Sequence, residues 1–178
     1  MTYTIDASHS QIEFAVKHMM VSTVRGRFKS FSGEVEIDEA NPANSEINVT
    51  IDTASIDTGA EGRDGHLKSA DFFDVEKYPT VTFVSKSVEP KSDETYAVTG
   101  DLTIHGVTKE IELTVTREGS ASNMQGARVQ AFSAATSISR KEFGLEWNVA
   151  LESGGWLVSD QVKINLDIEA VEKAAVAA

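Results

Sequence analysis

The chain contains no cysteine, which excludes disulfides, thiol catalysis and thiolate metal sites, and leaves the redox compartment undetermined. Positive charge is scarce. There are 16 Lys and Arg against 28 Asp and Glu, a formal net charge of -12 and a pI near 4.7. A protein that tracks phosphates needs a basic stripe, and an anionic membrane surface repels this balance. Neither nucleic acid nor stable membrane insertion is therefore expected. No apolar run approaches the roughly 18 residues of a spanning helix. Residues Met1 to Asp6 show no basic region, apolar stretch or cleavage site of a secretory leader. A cytoplasmic location is expected, or a periplasmic or secreted one if the N-terminus has been trimmed.

Signatures of chemistry are equally sparse. The sequence has no Gly-x-Ser-x-Gly elbow, no phosphate-cradling loop and no dinucleotide fingerprint. His9, His18, His66 and His105 are scattered, with no pair at i, i+4. They read as satisfied or exposed imidazoles, and no metal is assigned. Asp71 and Asp74 suit helix-end capping and solvation. Arg63 and Asp64 beside His66 form a polar cluster with no neighbouring nucleophile. Its expected role is to fix a helix in place, with catalysis as the alternative. No catalytic residue is assigned, and no cofactor is expected.

What the 178 residues do contain is an ordinary 40% of hydrophobic residues, arranged mostly with period two, the strand signal. Ile12, Phe14, Val16, His18 and Met20 share one face of the first run. Further runs cover 28–37, 47–53, the neighbourhood of Val81 and Phe83, 96–104, 107–116, 128–138 and 161–171. These are about eight strands with short connections, as in an up-and-down meander, and no linker or repeat divides the chain. The expectation is one domain, residues 1–178. Ile104-His105-Gly106-Val107 reads as a tight hairpin. Phe28 and Phe31 cannot share a face in a regular strand, so a bulge is expected near Ser30.

One segment breaks the alternation. Residues 61–73 are helix-compatible, with Ser69 capping a second turn, although Gly62 and Gly65 weaken any helix there by about 1 kcal/mol each. With Leu67, Phe72 and Phe73 inward, such a helix closes one end of a barrel. The C-terminal stretch from Val171 to Ala178 reads as a fraying tail or a last helical turn. An eight-stranded barrel has an interior that side chains fill or that holds one slim ligand. Alternation alone leaves those two outcomes open. It assigns Phe14, Val16, Phe28, Val49, Ile51, Phe83, Leu102, Leu113, Ile164 and Leu166 to the inner face, with His18 and Met20 continuing that of the first run.

Several motifs then converge. His9-Ser10 precedes Ile12, Phe14, Val16 and His18; Gly26 and Phe28 follow. Arg63-Asp64-x-His66-Leu67-x-Ser69-x-Asp71-Phe72-Phe73-Asp74 comes next, then Tyr78-Pro79 with Phe83. Gly100-x-Leu102-Thr103-Ile104-x-Gly106-Val107-Thr108, Arg140-x-x-Phe143-Gly144 and Val162-x-Ile164 complete the set. In order and extent the chain closely resembles the YceI-like family of polyisoprenoid-binding, lipocalin-like proteins. The resemblance implies an all-β, eight-stranded antiparallel barrel whose hydrophobic tunnel holds a long isoprenoid or prenylquinone-type lipid. It also implies binding, storage or transport instead of catalysis, and a homodimer. The alternatives are a packed barrel acting as a stress-related interaction module, and an enzyme built on Arg63, Asp64 and His66.

Overall fold

The computed structural model describes residues 1–174. Eleven strand segments form one antiparallel sheet: β1 (Thr2–Ile5), β2 (Gln11–His18), β3 (Ser22–Phe28), β4 (Phe31–Glu36), β5 (Glu46–Asp52), β6 (Ile56–Asp57), β7 (Thr80–Pro90), β8 (Thr95–Ile104), β9 (Val107–Ser122), β10 (Arg128–Ser139) and β11 (Val158–Glu172). Their pairing reduces to eight physical strands. β4 pairs with β1 and β5, while β3 pairs with β2 and β6. Hence β1–β2, β3–β4 and β5–β6 are each one strand bent in the middle. β11 closes the ring by pairing with β1 through Ala170–Glu172 and with β2 through Val158–Asp167. The result is a closed eight-stranded up-and-down antiparallel barrel, in which sheet edges are removed by closure.

The bends fall where the sequence changes chemistry. Between β3 and β4 the ladder stops at Lys29 and Ser30, whose backbone groups bond to Ser55 and Asp52 across the neighbouring bend. This break lets Phe28 face the barrel interior while Phe31 packs in the lower core with Tyr3, Ile5 and Val35. At the first bend, Asp6 accepts hydrogen bonds from Ser8 and His9. The buried Ser10 hydroxyl accepts from the Glu169 amide at 2.9 Å.

Four expectations from the sequence are corrected. The first run stops at His18, not Met20, because Met19 and Met20 turn the chain with φ of 52° and 62°. Ser22–Phe28, Thr2–Ile5 and the far half of β7 are strand although their alternation is weak. The helix α1 spans Glu61–Lys68 and does not continue to residue 73. Ser69 is extended there, with ψ of 173°, and its hydroxyl donates to the His66 carbonyl at 2.6 Å, ending the helix; Phe72 and Phe73 sit in a following turn. At the C-terminus, Val171 and Glu172 are the end of β11 and the Lys173 amide donates to Thr2; the expected tail at 175–178 lies outside the described residues.

Two hairpin features agree with their local chemistry. His105 and Gly106 both have positive φ, 54° and 71°, the requirement of a two-residue turn that matches strand twist. The β7 ladder shifts between Ser85 and Ser87, which flips parity so that Val81, Phe83 and Val88 all face inward. Among the described residues no helix is long and apolar enough to cross a membrane.

Candidate functional site

The barrel is not filled. Its interior holds a cavity of about 340 Å³ walled almost entirely by aliphatic and aromatic side chains. The wall follows from alternation. Ile47, Val49 and Ile51 come from β5, Tyr96, Val98, Leu102 and Ile104 from β8, and Ile111, Leu113 and Val115 from β9. Val162, Ile164, Leu166 and Ile168 line it from β11. From Tyr96 to Ile104 the lined length is about 26 Å along β8, at roughly 3.3 Å per residue. Strand tilt shortens this to about 20 Å along the barrel axis. The cavity is long and narrow, within the size range of ligand sites.

Two glycines set its shape. At Gly100 a Cβ would lie 2.5 Å from Phe83 Cζ, and at Gly26 one would strike the Phe14 ring. Each glycine therefore gives an inward phenylalanine its place across the sheet. The rings continue as a file: Phe14 to Phe28 at 5.8 Å between centroids, and Phe28 to Phe73 at 5.9 Å, edge to face. Leu67, Phe72 and Phe73, from α1 and its following turn, line the cavity at this end.

Of the residues assigned by alternation, Phe14, Val16, Phe28, Val49, Ile51, Phe83, Leu102, Leu113, Ile164 and Leu166 all line this cavity. His18 and Met20 do not, because the strand has ended and Met20 is 64% exposed on the turn. Sequence reasoning missed Tyr96, Phe132, Ala134, Ile138 and Leu145, and three polar liners, Arg117, Gln130 and Arg140. A signal for most of these existed: Gln130, Phe132, Ala134, Thr136 and Ile138 share one parity, as do Ile111, Leu113, Val115 and Arg117.

A family model described as a YceI-like domain matches residues 3–170. The chain belongs to the YceI-like family. A UPF0312 protein of Staphylococcus aureus (strain USA300) is 39% identical over 168 residues, covering 94% of this chain and 95% of its own. Among solved structures, Burkholderia cenocepacia BcnA superposes with a TM-score of 0.80 at 30% identity, over 93% of this chain and 98% of its own. A Campylobacter jejuni YCEI protein gives 0.75 at 35% identity, over 89% and 90%. A polyisoprenoid binding domain from Saccharophagus degradans gives 0.71 at 21% identity, over 96% and 98%, which shows a shared fold.

In this YceI-like barrel the Arg63–Asp64–His66 group ties α1 down. Asp64 accepts from the Thr58 amide at 2.8 Å and its hydroxyl at 2.5 Å, while Arg63 donates to the same hydroxyl at 2.8 Å and to the Thr58 carbonyl at 2.7 Å. These bonds reach the segment just before the helix. His66 reaches the turn that follows the helix. Its Nε2 lies 2.9 Å from Asp71 Oδ2, and its ring packs edge to face on Trp147 at 4.6 Å and Phe72 at 5.1 Å.

Trp147 belongs to the loop between β10 and β11, which Arg140 holds. Arg140 is 4% exposed, and its guanidinium donates to the carbonyls of Leu145, Trp147, Val158 and Ser159 at 2.5–3.2 Å. Burial pushes its pKa down from the ordinary arginine value, and the Asp160 charge opposes that shift. The opposite end of the cavity is polar: Asp38, Glu39, Ser45, Arg117 and Gln130 line it. On the outer surface, Asp6, His9 and Glu169 bring three potential metal-ligand atoms within 4.8 Å. Asp6 and His9 are already bonded to each other within the bend.

Proposed function

We propose that this protein binds one long, slender isoprenoid or prenylquinone-type lipid inside the barrel, reversibly and without covalent chemistry, for storage or transport. The observation that carries this reading is the 20 Å-scale apolar cavity between α1 and the Gln130 end. Burial of a chain there gains about 0.8 kcal/mol per CH₂, before the cost of association. Val, Ile and Phe walls give a rigid, ridged surface that suits a chain carrying methyl branches. At 21% identity, the Saccharophagus domain contributes only its fold to this proposal; the occupant is argued from the cavity.

The enzyme alternative needs the Arg63, Asp64 and His66 group to face the cavity with free polar atoms. Instead Asp64 and Arg63 bond to Thr58, and His66 bonds to Asp71. The neighbours that line the cavity are Leu67, Phe72 and Phe73. The packed-barrel alternative is disfavoured by the cavity volume. A titration with diphenylhexatriene, a rod-shaped apolar fluorophore, tests the proposal. Saturable binding at one probe per chain is expected; no fluorescence gain at micromolar protein would refute it.

A further inference from the structure

Gln130 is 1% exposed and lines the polar end of a cavity whose walls are mostly apolar. Burying an amide costs free energy unless its donors and acceptors are matched. Here the match is partial. Gln130 Oε1 accepts from Arg117 Nε at 3.0 Å, and Gln130 Nε2 donates to Glu39 Oε1 over a long 3.4 Å. An amide offers two N–H donors and two lone pairs, so capacity is left over.

Arg117 lines the same end and spends one of its five donors, through Nε, on Gln130. Among the described residues its Nη1 and Nη2 have no hydrogen-bond partner, and no carboxylate lies within ion-pair distance. The nearby acids are otherwise engaged. Glu39 is paired with Arg128 at 2.7 Å, and Asp38 accepts from Ala40, Asn41 and Asn44 within its own turn. Arg117 is therefore a cation with unspent hydrogen-bonding capacity at this end, and its free groups are all donors.

The position is suited to a ligand's terminus. A surface hollow lined by Met1, Glu36, Ile37, Asp38, Glu39 and Asn44 adjoins the cavity, and Ile37, Asp38 and Glu39 belong to both. The other end is covered by Leu67, Phe72 and Phe73, which offer a ligand nothing polar.

We infer that the cavity is polarised: Arg117 and Gln130 form a head-group subsite that takes an oxygen acceptor, carboxylate, phosphate or carbonyl, while the tail runs toward α1. This rests on the proposal that the cavity holds a lipid, and it adds the direction of entry and the chemistry of the head. A cationic head would meet the Arg117 cation and is rejected.

The test uses three ligands with one C20 prenyl tail and a carboxylate, methyl ketone or primary amine head, each displacing diphenylhexatriene from the whole chain. For the unaltered protein the carboxylate should bind best and the amine worst, with a spread of about 10- to 100-fold, the range of one charge-assisted hydrogen bond. Arg117→Met should collapse the spread to about threefold or less, with the three heads ranked against one another within each variant. Arg117→Lys should restore the preference of carboxylate over amine, and Gln130→Leu should reduce it. An unaltered protein that binds diphenylhexatriene but does not rank the heads refutes the inference and leaves the carrier proposal standing. The same ranking in Arg117→Met refutes it too. Failure to bind diphenylhexatriene at all would remove the carrier proposal and this one with it.

Discussion

The Phe83 ring lies against the backbone of Gly100, so close that a Cβ there would sit 2.5 Å from Phe83 Cζ and 2.6 Å from the Val84 carbonyl oxygen. The ring can swing into the cavity, but the carbonyl belongs to the β7 ladder and cannot yield without disturbing it. Gly100→Ala should therefore destabilise the barrel by about 1–3 kcal/mol, the usual cost of overpacking. In a chain of this size that lowers Tm by about 2–4 °C per kcal/mol. Calorimetry checks this, and an unchanged Tm would show that the sheet absorbs the methyl freely.

Ala134 is a small residue on the cavity wall, between Phe132 and Thr136 on the inward face of β10. Ala134→Phe should fill free space instead of displacing packed atoms, so the fold should persist. Diphenylhexatriene affinity should fall roughly tenfold or more, equivalent to losing about two CH₂ groups of burial. Equal affinity in a folded variant would mean that the probe binds elsewhere.

Arg140 anchors the 145–158 loop through four backbone carbonyls, and Trp147 on that loop supports His66 on α1. Arg140→Met keeps the aliphatic stem but strands buried acceptors, at a cost of about 1–3 kcal/mol or more. Hydrogen exchange should speed up over residues 145–158 and then over α1, before the rest of the barrel. Uniform acceleration would instead indicate global destabilisation with no local link between loop and helix.

The Asp6–His9 pair gives stability a pH signature. Hydrogen bonds from the Ser8 and His9 side chains lower the Asp6 pKa from 3.8 to about 2. The Asp6 carboxylate, with Glu169 adding charge, raises His9 above 6.5. The depressed Asp6 contributes stability above its unfolded pKa, and that stability is lost as pH falls toward 2. The raised His9 contributes below 6.5, and its share is lost as pH rises through the folded value. The pair thus stabilises most between about pH 4 and 6. Asp6→Asn should cost about 1 kcal/mol in that window after allowing for solvent screening. Denaturant melts of Asp6→Asn and His9→Gln at pH 5.5 and 8 should show the larger deficit at 5.5 for both. Equal deficits would mean that the pair is held by geometry and not by charge.

The number of strands was legible because inward aliphatic residues repeat at every second position in runs such as Val162–Ile168. β3 was not, since its inward residue opposite Phe14 is Gly26, whose missing side chain is its function and whose signal is silence. The end of β2 was misplaced for a related reason. Met20 keeps the apolar parity, but positive φ at Met19 and Met20 has already turned the chain. The apolar wall of the site could be read from parity, while its polar end could not. Arg117 and Gln130 each look like solvated surface residues in isolation, and the barrel's closure brings them together on one interior face. Arg140 was visible as a motif residue, but its role depends on carbonyls five to nineteen positions away that turn toward it only in the fold.

The central claim is that the barrel interior is a lipid site, and native mass spectrometry of the protein purified from its producing cells tests it most directly. Gentle ionisation, followed by denaturing organic extraction of the same sample, should show a fraction of chains carrying one added mass. The extract should contain a matching lipid with a long, methyl-branched tail and an oxygen-bearing head. Chains at the bare sequence mass throughout, with no lipid in the extract and no uptake when a C20 prenyl carboxylate is supplied, would contradict the account.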